Sequence, residues 1–196
     1  MKRISLMIGL AACVTIVGFG CTRAVLPVKE QTESINRSAI LLDAKNQGLI
    51  MNEGEIEHMK DPSVLVTDEK KATTPGWKEF DGIDFKTWNA AALADVTGGT
   101  SYGLARLNFS NNTFRVMANF GDLIQPTDGS TFQAWLVKRG DGMKVVNLGV
   151  LIPAEQLMVL TYATKTDLRD YDFFVVTLQS PNSTVPGEHL LEGMIR

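Results

Sequence analysis

Thr113-Phe114-Arg115-Val116-Met117-Ala118-Asn119-Phe120 alternates strictly. Phe114, Val116, Ala118 and Phe120 fall on one side of an extended chain, and Thr113, Arg115, Met117 and Asn119 on the other. A repeat of two is the mark of a strand with one face in a core. Asn111-Asn112 just before it is turn-forming, and residues 102–109 beyond that turn again have strand character. On the other side, Phe132, Ala134 and Leu136 alternate with Thr131, Gln133 and Trp135. Phe132 and Trp135 therefore point to opposite faces, so one of them is exposed or lies under another element.

Working outward, eight stretches carry strand character: 91–96, 102–109, 113–120, 131–139, 145–152, 157–164, 173–179 and 189–195. Turn signals separate them, among them Gly98-Gly99, Gly140-Asp141-Gly142 and the segment from Pro181 to Gly187. No helical pattern of 10–15 residues intervenes, which argues against a parallel α/β sheet. The expected class is mainly β: an antiparallel β-sandwich of about eight strands, over residues 77–196, with a short N-terminal helical appendage.

That appendage lies in residues 22–76, read as a tether with two short helices and a linker. Asn36 to Gly48 predicts the first helix, with Ile40, Leu41, Ala44 and Gln47 as its modest apolar face and Gly48 as its stop. Asn52 followed by Glu55 resembles a capping box opening a second helix that ends before Pro62. Glu53, Glu55 and Glu57 fit the acidic start of that helix, where the macrodipole favours negative charge. Trp77, Phe80, Phe85 and Trp88 form an aromatic cluster, expected to strap one end of the core, with a ligand-stacking platform as the alternative.

The N-terminus is an address. Met1-Lys2-Arg3 is basic and 4–19 is almost wholly apolar, the shape of a secretory signal. Gly20-Cys21 then resembles the lipobox of bacterial lipoproteins, which implies lipid attachment at Cys21. Leu10-Ala11-Ala12-Cys13 offers a second such site, with a shorter apolar run before it. An uncleaved signal anchor is the other reading: 18 residues from Ile4 to Cys21 extend roughly 27 Å as a helix, close to what a bilayer needs. Residues 1–21 are thus an anchor, and the rest is expected at the outer face of the cytoplasmic membrane or in the cell envelope. The membrane is the first expected partner.

Cys13 and Cys21 are the only cysteines. The body has no disulfide, thiolate ligand or cysteine nucleophile. With a net charge of -3 and no basic run, nucleic acid is not an expected partner. Neither a Gly-x-Ser-x-Gly elbow nor a phosphate-binding glycine loop occurs. Two histidines are present, His58 and His189; they lack the spacing of a zinc site, and His189, leading into Leu190-Leu191, reads as structural. Asp167, Asp170 and Asp172 cluster before a strand, but Arg169 among them suits a solvated turn better than a Ca²⁺ site. Asn36, Asn108, Asn111 and Asn182 begin Asn-x-Ser/Thr triplets, read as chance in a bacterial chain. No cofactor, metal site or catalytic residue is expected.

Two stretches carry a resemblance. Thr131-Phe132-Gln133-Ala134-Trp135-Leu136-Val137 precedes a Gly-rich turn and Asn147-Leu148-Gly149; Thr177-Leu178-Gln179-Ser180-Pro181 precedes Val185-Pro186-Gly187 and Leu190-Leu191-Glu192-Gly193. Residues 91–195 thereby resemble the extracytoplasmic C-terminal domain of anti-sigma-K factors (the RskA family). Gln179 stands where that family tends to have Glu. The resemblance implies a β domain outside the membrane. Only Met1-Lys2-Arg3 precedes the apolar run, so the sigma-binding domain is missing and no sigma factor is expected as partner. The expected function is a non-enzymatic, membrane-anchored binding or interaction module of the bacterial envelope, with an envelope protein or a small ligand as its partner; the alternative is an exported hydrolase with an unrecognised carboxylate site.

Overall fold

A computed structural model describes residues 36–66 and 72–196. The anchor, Cys13, Cys21, the tether up to residue 35 and the charged stretch 68–71 lie outside the described residues. Two helices lead: α1 (Arg37–Asn46) and α2 (Glu53–Met59). Ten strands follow: β1 (Leu65–Val66), β2 (Asn89–Asp95), β3 (Tyr102–Ser110), β4 (Thr113–Gly121), β5 (Thr131–Lys138), β6 (Lys144–Val150), β7 (Ile152–Ala154), β8 (Leu157–Thr164), β9 (Phe173–Gln179) and β10 (Glu188–Met194).

The protein is mainly β, and each of the eight expected stretches holds a strand. The hydrogen-bond ladder is nevertheless one ten-stranded sheet, ordered β1-β6-β5-β9-β10-β2-β3-β4-β8-β7, in place of the eight-strand sandwich. All neighbours are antiparallel except β1 and β6. The sheet is curled into a half-barrel, and the cause is one continuous stretch of chain. β6 runs through Leu151 directly into β7, and Leu151 donates its N–H to Phe132 O at 2.9 Å. The same stretch pairs with β5 before that residue and with β8 after it. It therefore links the two ends of the ladder, β6 lying next to the edge strand β1 and β7 forming the other edge.

Curling turns one face of every long strand toward a common core. Leu93, Leu107, Val116, Leu136, Leu160 and Val176 meet there. Phe120 and Phe174 add two rings with centroids 6.3 Å apart. The β3–β4 hairpin closes on Asn111 (φ 51°) and Asn112 (φ 54°). Two consecutive left-handed residues make the tight turn whose twist matches a hairpin, and asparagine tolerates that conformation.

A second apolar cluster sits on the outer face. Trp135, Val137, Val145, Phe173 and Val175 are covered there by Met51, Met59 and Val64 of the helical arm. Each fully buried side chain of this kind contributes about 1.5–3 kcal/mol. Trp135 is thus the member of the Phe132/Trp135 pair that lies under the helices, 1% exposed, its indole N–H donating to Thr177 Oγ1 at 2.9 Å. Burial on both faces also explains why Phe-Phe-Val-Val in β9 does not alternate.

The arm is pinned at its ends. Arg37 Nη1 donates to the carbonyls of Gly98 and Gly99, at 2.9 and 2.7 Å. Arg139 Nη1 donates to Gly48 O at 2.9 Å while its guanidinium lies over the Phe173 ring. Asn36 caps α1, and the capping box of Asn52 with Glu55 opens α2 as the spacing predicts. Two members of the expected apolar face differ: Ile40 is 57% exposed, and Gln47, the C-cap residue, is exposed too. Pinned at both ends, α1 lays Leu41 and Ala44 toward the sheet and leaves Ile40 outside.

Strands β2 and β10 approach so closely that a Cβ on Gly193 would sit 2.2 Å from Ala92 O. Gly193→Ala is expected to lower stability by about 1–3 kcal/mol, read as a lower urea midpoint. Gly76→Ala, where a Cβ meets nothing within 4 Å, should leave the midpoint close to that of the parent.

Candidate functional site

The strand period of two would place His189 and Glu192 on opposite faces of β10. A bulge changes that. His189 pairs with Thr177 and Leu191 with Val176, so Leu190 is an extra residue. Leu190 and Leu191 both turn to the core, and His189 and Glu192 share the outer face. Bulges re-aim side chains in this way.

Both are buried, His189 at 7% and Glu192 at 2% exposure. The His189 Nδ1 and Glu192 Oε1 atoms are 2.6 Å apart. Glu192 Oε2 accepts the backbone N–H of Met51 at 2.7 Å. A buried carboxyl group without partners is costly; this one has a partner at both oxygens. Nδ1 is the ring nitrogen that faces Glu192. Nε2 is buried and has no hydrogen-bond partner.

The pair lines a groove of about 780 Å³ between the arm and the ends of β2 and β10. Ile50, Met51, Ile56 and Val96 give it apolar walls, and Lys45, Lys60, Thr97 and Glu188 also face it. Lys45 is held by Glu53 at 2.5 Å and Lys60 by Glu57 at 3.2 Å. Thr97 is committed too: its hydroxyl donates to Asp95 Oδ1 at 2.6 Å.

Asp95 organises the neighbouring β2–β3 turn. Besides that hydroxyl it accepts the N–H of Thr97 at 2.8 Å and of Ser101 at 3.2 Å. Partial burial by itself would raise its carboxyl. The bonds from Thr97, together with the N–H groups of Gly99 and Ser101, outweigh that and hold it below the ordinary aspartate range.

The residues singled out in the sequence are scattered. Asp167 pairs with Arg169, Asp170 with Lys138 and Asp172 with Arg139, each carboxylate with its own cation. Among the described residues no group of three or more His, Cys, Asp or Glu side chains is placed to hold a metal. His58 ends α2. Phe80 and Phe85 both pack edge-on against Trp88, while Trp77 is 43% exposed. Gln179 uses its amide to donate to the carbonyls of Ser183 and Val185, at 2.9 and 2.6 Å. An ionised Glu at that position has no donor for either carbonyl, which accounts for the departure from the resembled pattern. The reading of His189 as structural left out Glu192, because alternation separates the two and a bulge has no periodic signature.

Glu192→Ala leaves the Met51 N–H and His189 Nδ1 without their hydrogen-bond partner and should cost about 3 kcal/mol, measured by urea unfolding. Asp95 gives a pH signature. A carboxyl whose folded value is depressed stabilises the fold above the unfolded aspartate value, about 3.9, and loses that contribution as pH falls through its folded value. Asp95→Asn should therefore flatten the fall in stability below about pH 4; an acid limb as steep as the parent's would refute the role given to this carboxylate. No family model and no curated protein matches the chain.

Proposed function

We propose that the chain is a non-enzymatic binding module of the bacterial envelope, anchored to the membrane through Cys21, whose ligand seats in the groove beside His189. The observation that carries this reading is an apolar-walled groove of about 780 Å³ lined by the buried His189–Glu192 pair. An imidazole backed by a carboxylate also occurs in hydrolytic triads, but there it serves a nucleophile. The residues lining this groove include no serine or cysteine, and the Thr97 hydroxyl is tied to Asp95. The alternative, an exported hydrolase with a carboxylate pair, calls for two acids close together and buried. Among the described residues Glu192 is the one buried carboxylate.

On this reading the likeness to the outer domain of anti-sigma-K factors extends to a β-rich domain and to a position outside the membrane, and not to sigma-factor binding. The basic start, the apolar run and Gly20-Cys21 support the anchor. An acyl chain holds a protein to the bilayer by burying CH₂ groups at about 0.8 kcal/mol each.

Cys21→Ser should abolish both the acyl mass and retention in the membrane fraction. A variant that stays with membranes, unmodified and uncut, would mean that an uncleaved signal helix does the anchoring. For the module itself, a photo-crosslinking residue in place of exposed Glu188 at the groove should give a discrete adduct in intact cells. The same residue in place of Asn112, on the β3–β4 turn, should not. Equal labelling at both positions, or none at 188, would dismiss the groove as the binding site.

A further inference from the structure

We infer that the outer face of β10, β2 and β3 takes an aliphatic carboxylate, its chain in an apolar trough along β2 and its head group between Arg106 and Arg196. This is a second site, and it does not depend on the groove beside His189.

Strand register builds it. Glu192 of β10 lies opposite Ala94, and Arg196 exchanges both main-chain hydrogen bonds with Ala90, at 2.8 and 2.9 Å. The same steps along the two strands put Met194 opposite Ala92. On the other side of β2, Ala94, Ala92 and Ala90 lie opposite Tyr102, Leu104 and Arg106 of β3. Partners across a ladder share a face, and the alternate residues Ala91 and Leu93 are buried on the inner one. A row of alanines therefore runs between two rows of long side chains. The helical arm covers the outer face over β5, β6 and β9, but here it leaves Tyr102 55% and Leu104 36% exposed.

The trough has a volume of about 470 Å³. Leu49 and Ile50 of the arm, Met194 of β10 and Leu104 of β3 line it together with the three alanines. From Ala90 to Ala94 the row extends about 14 Å, room for a medium-length alkyl chain. Methylenes laid there leave water for an apolar surface, and an exposed apolar patch of this kind marks a contact site.

Charge selects the head group. Arg106 and Arg196 flank Ala90 on this face, one on each neighbouring strand, with Cβ atoms about 10 Å apart. A guanidinium is always charged, and its fork of donors matches a carboxylate. Among the described residues neither arginine forms an ion pair with an acid. Arg106 lies over the Phe85 ring, 5.6 Å from its centroid, and Arg196 is exposed. The acid that lines the trough, Glu192, stands at the opposite end of the row, buried and with a partner at both oxygens.

The test uses the full chain in phosphatidylcholine nanodiscs, with ¹³C in the alanine methyl groups. Sodium decanoate should shift the Ala92 and Ala94 methyl resonances saturably and leave that of Ala134, in the inner core, unmoved. Sodium butyrate has the head group without the chain, and decylammonium chloride the chain with the opposite charge. Each should bind about tenfold more weakly than decanoate. Arg106→Gln and Arg196→Gln should each weaken decanoate about threefold. Ala92→Phe, which fills the trough, should abolish the shift at Ala94. If Ala92→Phe does not fold, Arg196→Gln decides, because it changes an exposed side chain and keeps the main-chain pairing with Ala90. The inference is overturned if decanoate gives no saturable shift, if butyrate or decylammonium binds as tightly as decanoate, or if Arg196→Gln binds decanoate as tightly as the parent.

Discussion

The carboxylate of Glu192 is the interaction on which the outer half of the molecule depends. It sits between a strand and a segment that has no strand or helix of its own, and it satisfies one group from each. The bond to Met51 N–H fixes the turn between α1 and α2. From that point Met51 and Met59 are placed over Trp135 and Phe173. The bond to His189 then fixes the imidazole. A single buried side chain thus couples the docking of the arm to the placement of the ring. Removing it would loosen the cover of the outer core and the geometry of the groove together.

Part of the fold is legible in the sequence because β2, β3 and β4 alternate between a buried and a less buried face. The alternation in β4 and the Asn-Asn turn before it locate the β3–β4 hairpin without ambiguity. The capping box of α2 is equally plain, since Asn52 and Glu55 answer each other's backbone. The closure of the sheet is not legible. Residues 145–152 read as one strand, and nothing in their composition says that the first part joins β5 and that the stretch from Ile152 joins β8. Pairing is decided by partners far away in the chain, not by local propensity.

The groove was hidden for a related reason. His189 and Glu192 are three residues apart, which in a regular strand means opposite faces. Only the extra Leu190 brings them to one side. By contrast, Trp135 could be placed from sequence on the face opposite Phe132, and the helical arm supplies the cover that its large apolar ring requires. The acidic cluster around Asp170 is the opposite case: conspicuous in sequence, yet each member is absorbed by a neighbouring base.

The two margins of the ladder have a consequence for how the molecule behaves among its own kind. A free strand edge is a template on which another chain can grow. Here one edge ends in β1, two residues long, and the other in β7, three residues long with Pro153 at its centre. A proline has no N–H to offer, and so short a segment gives a stranger little to zip onto. The molecule is therefore blunted against sheet-to-sheet aggregation at both ends, a useful property for any protein held at high local density beside its neighbours.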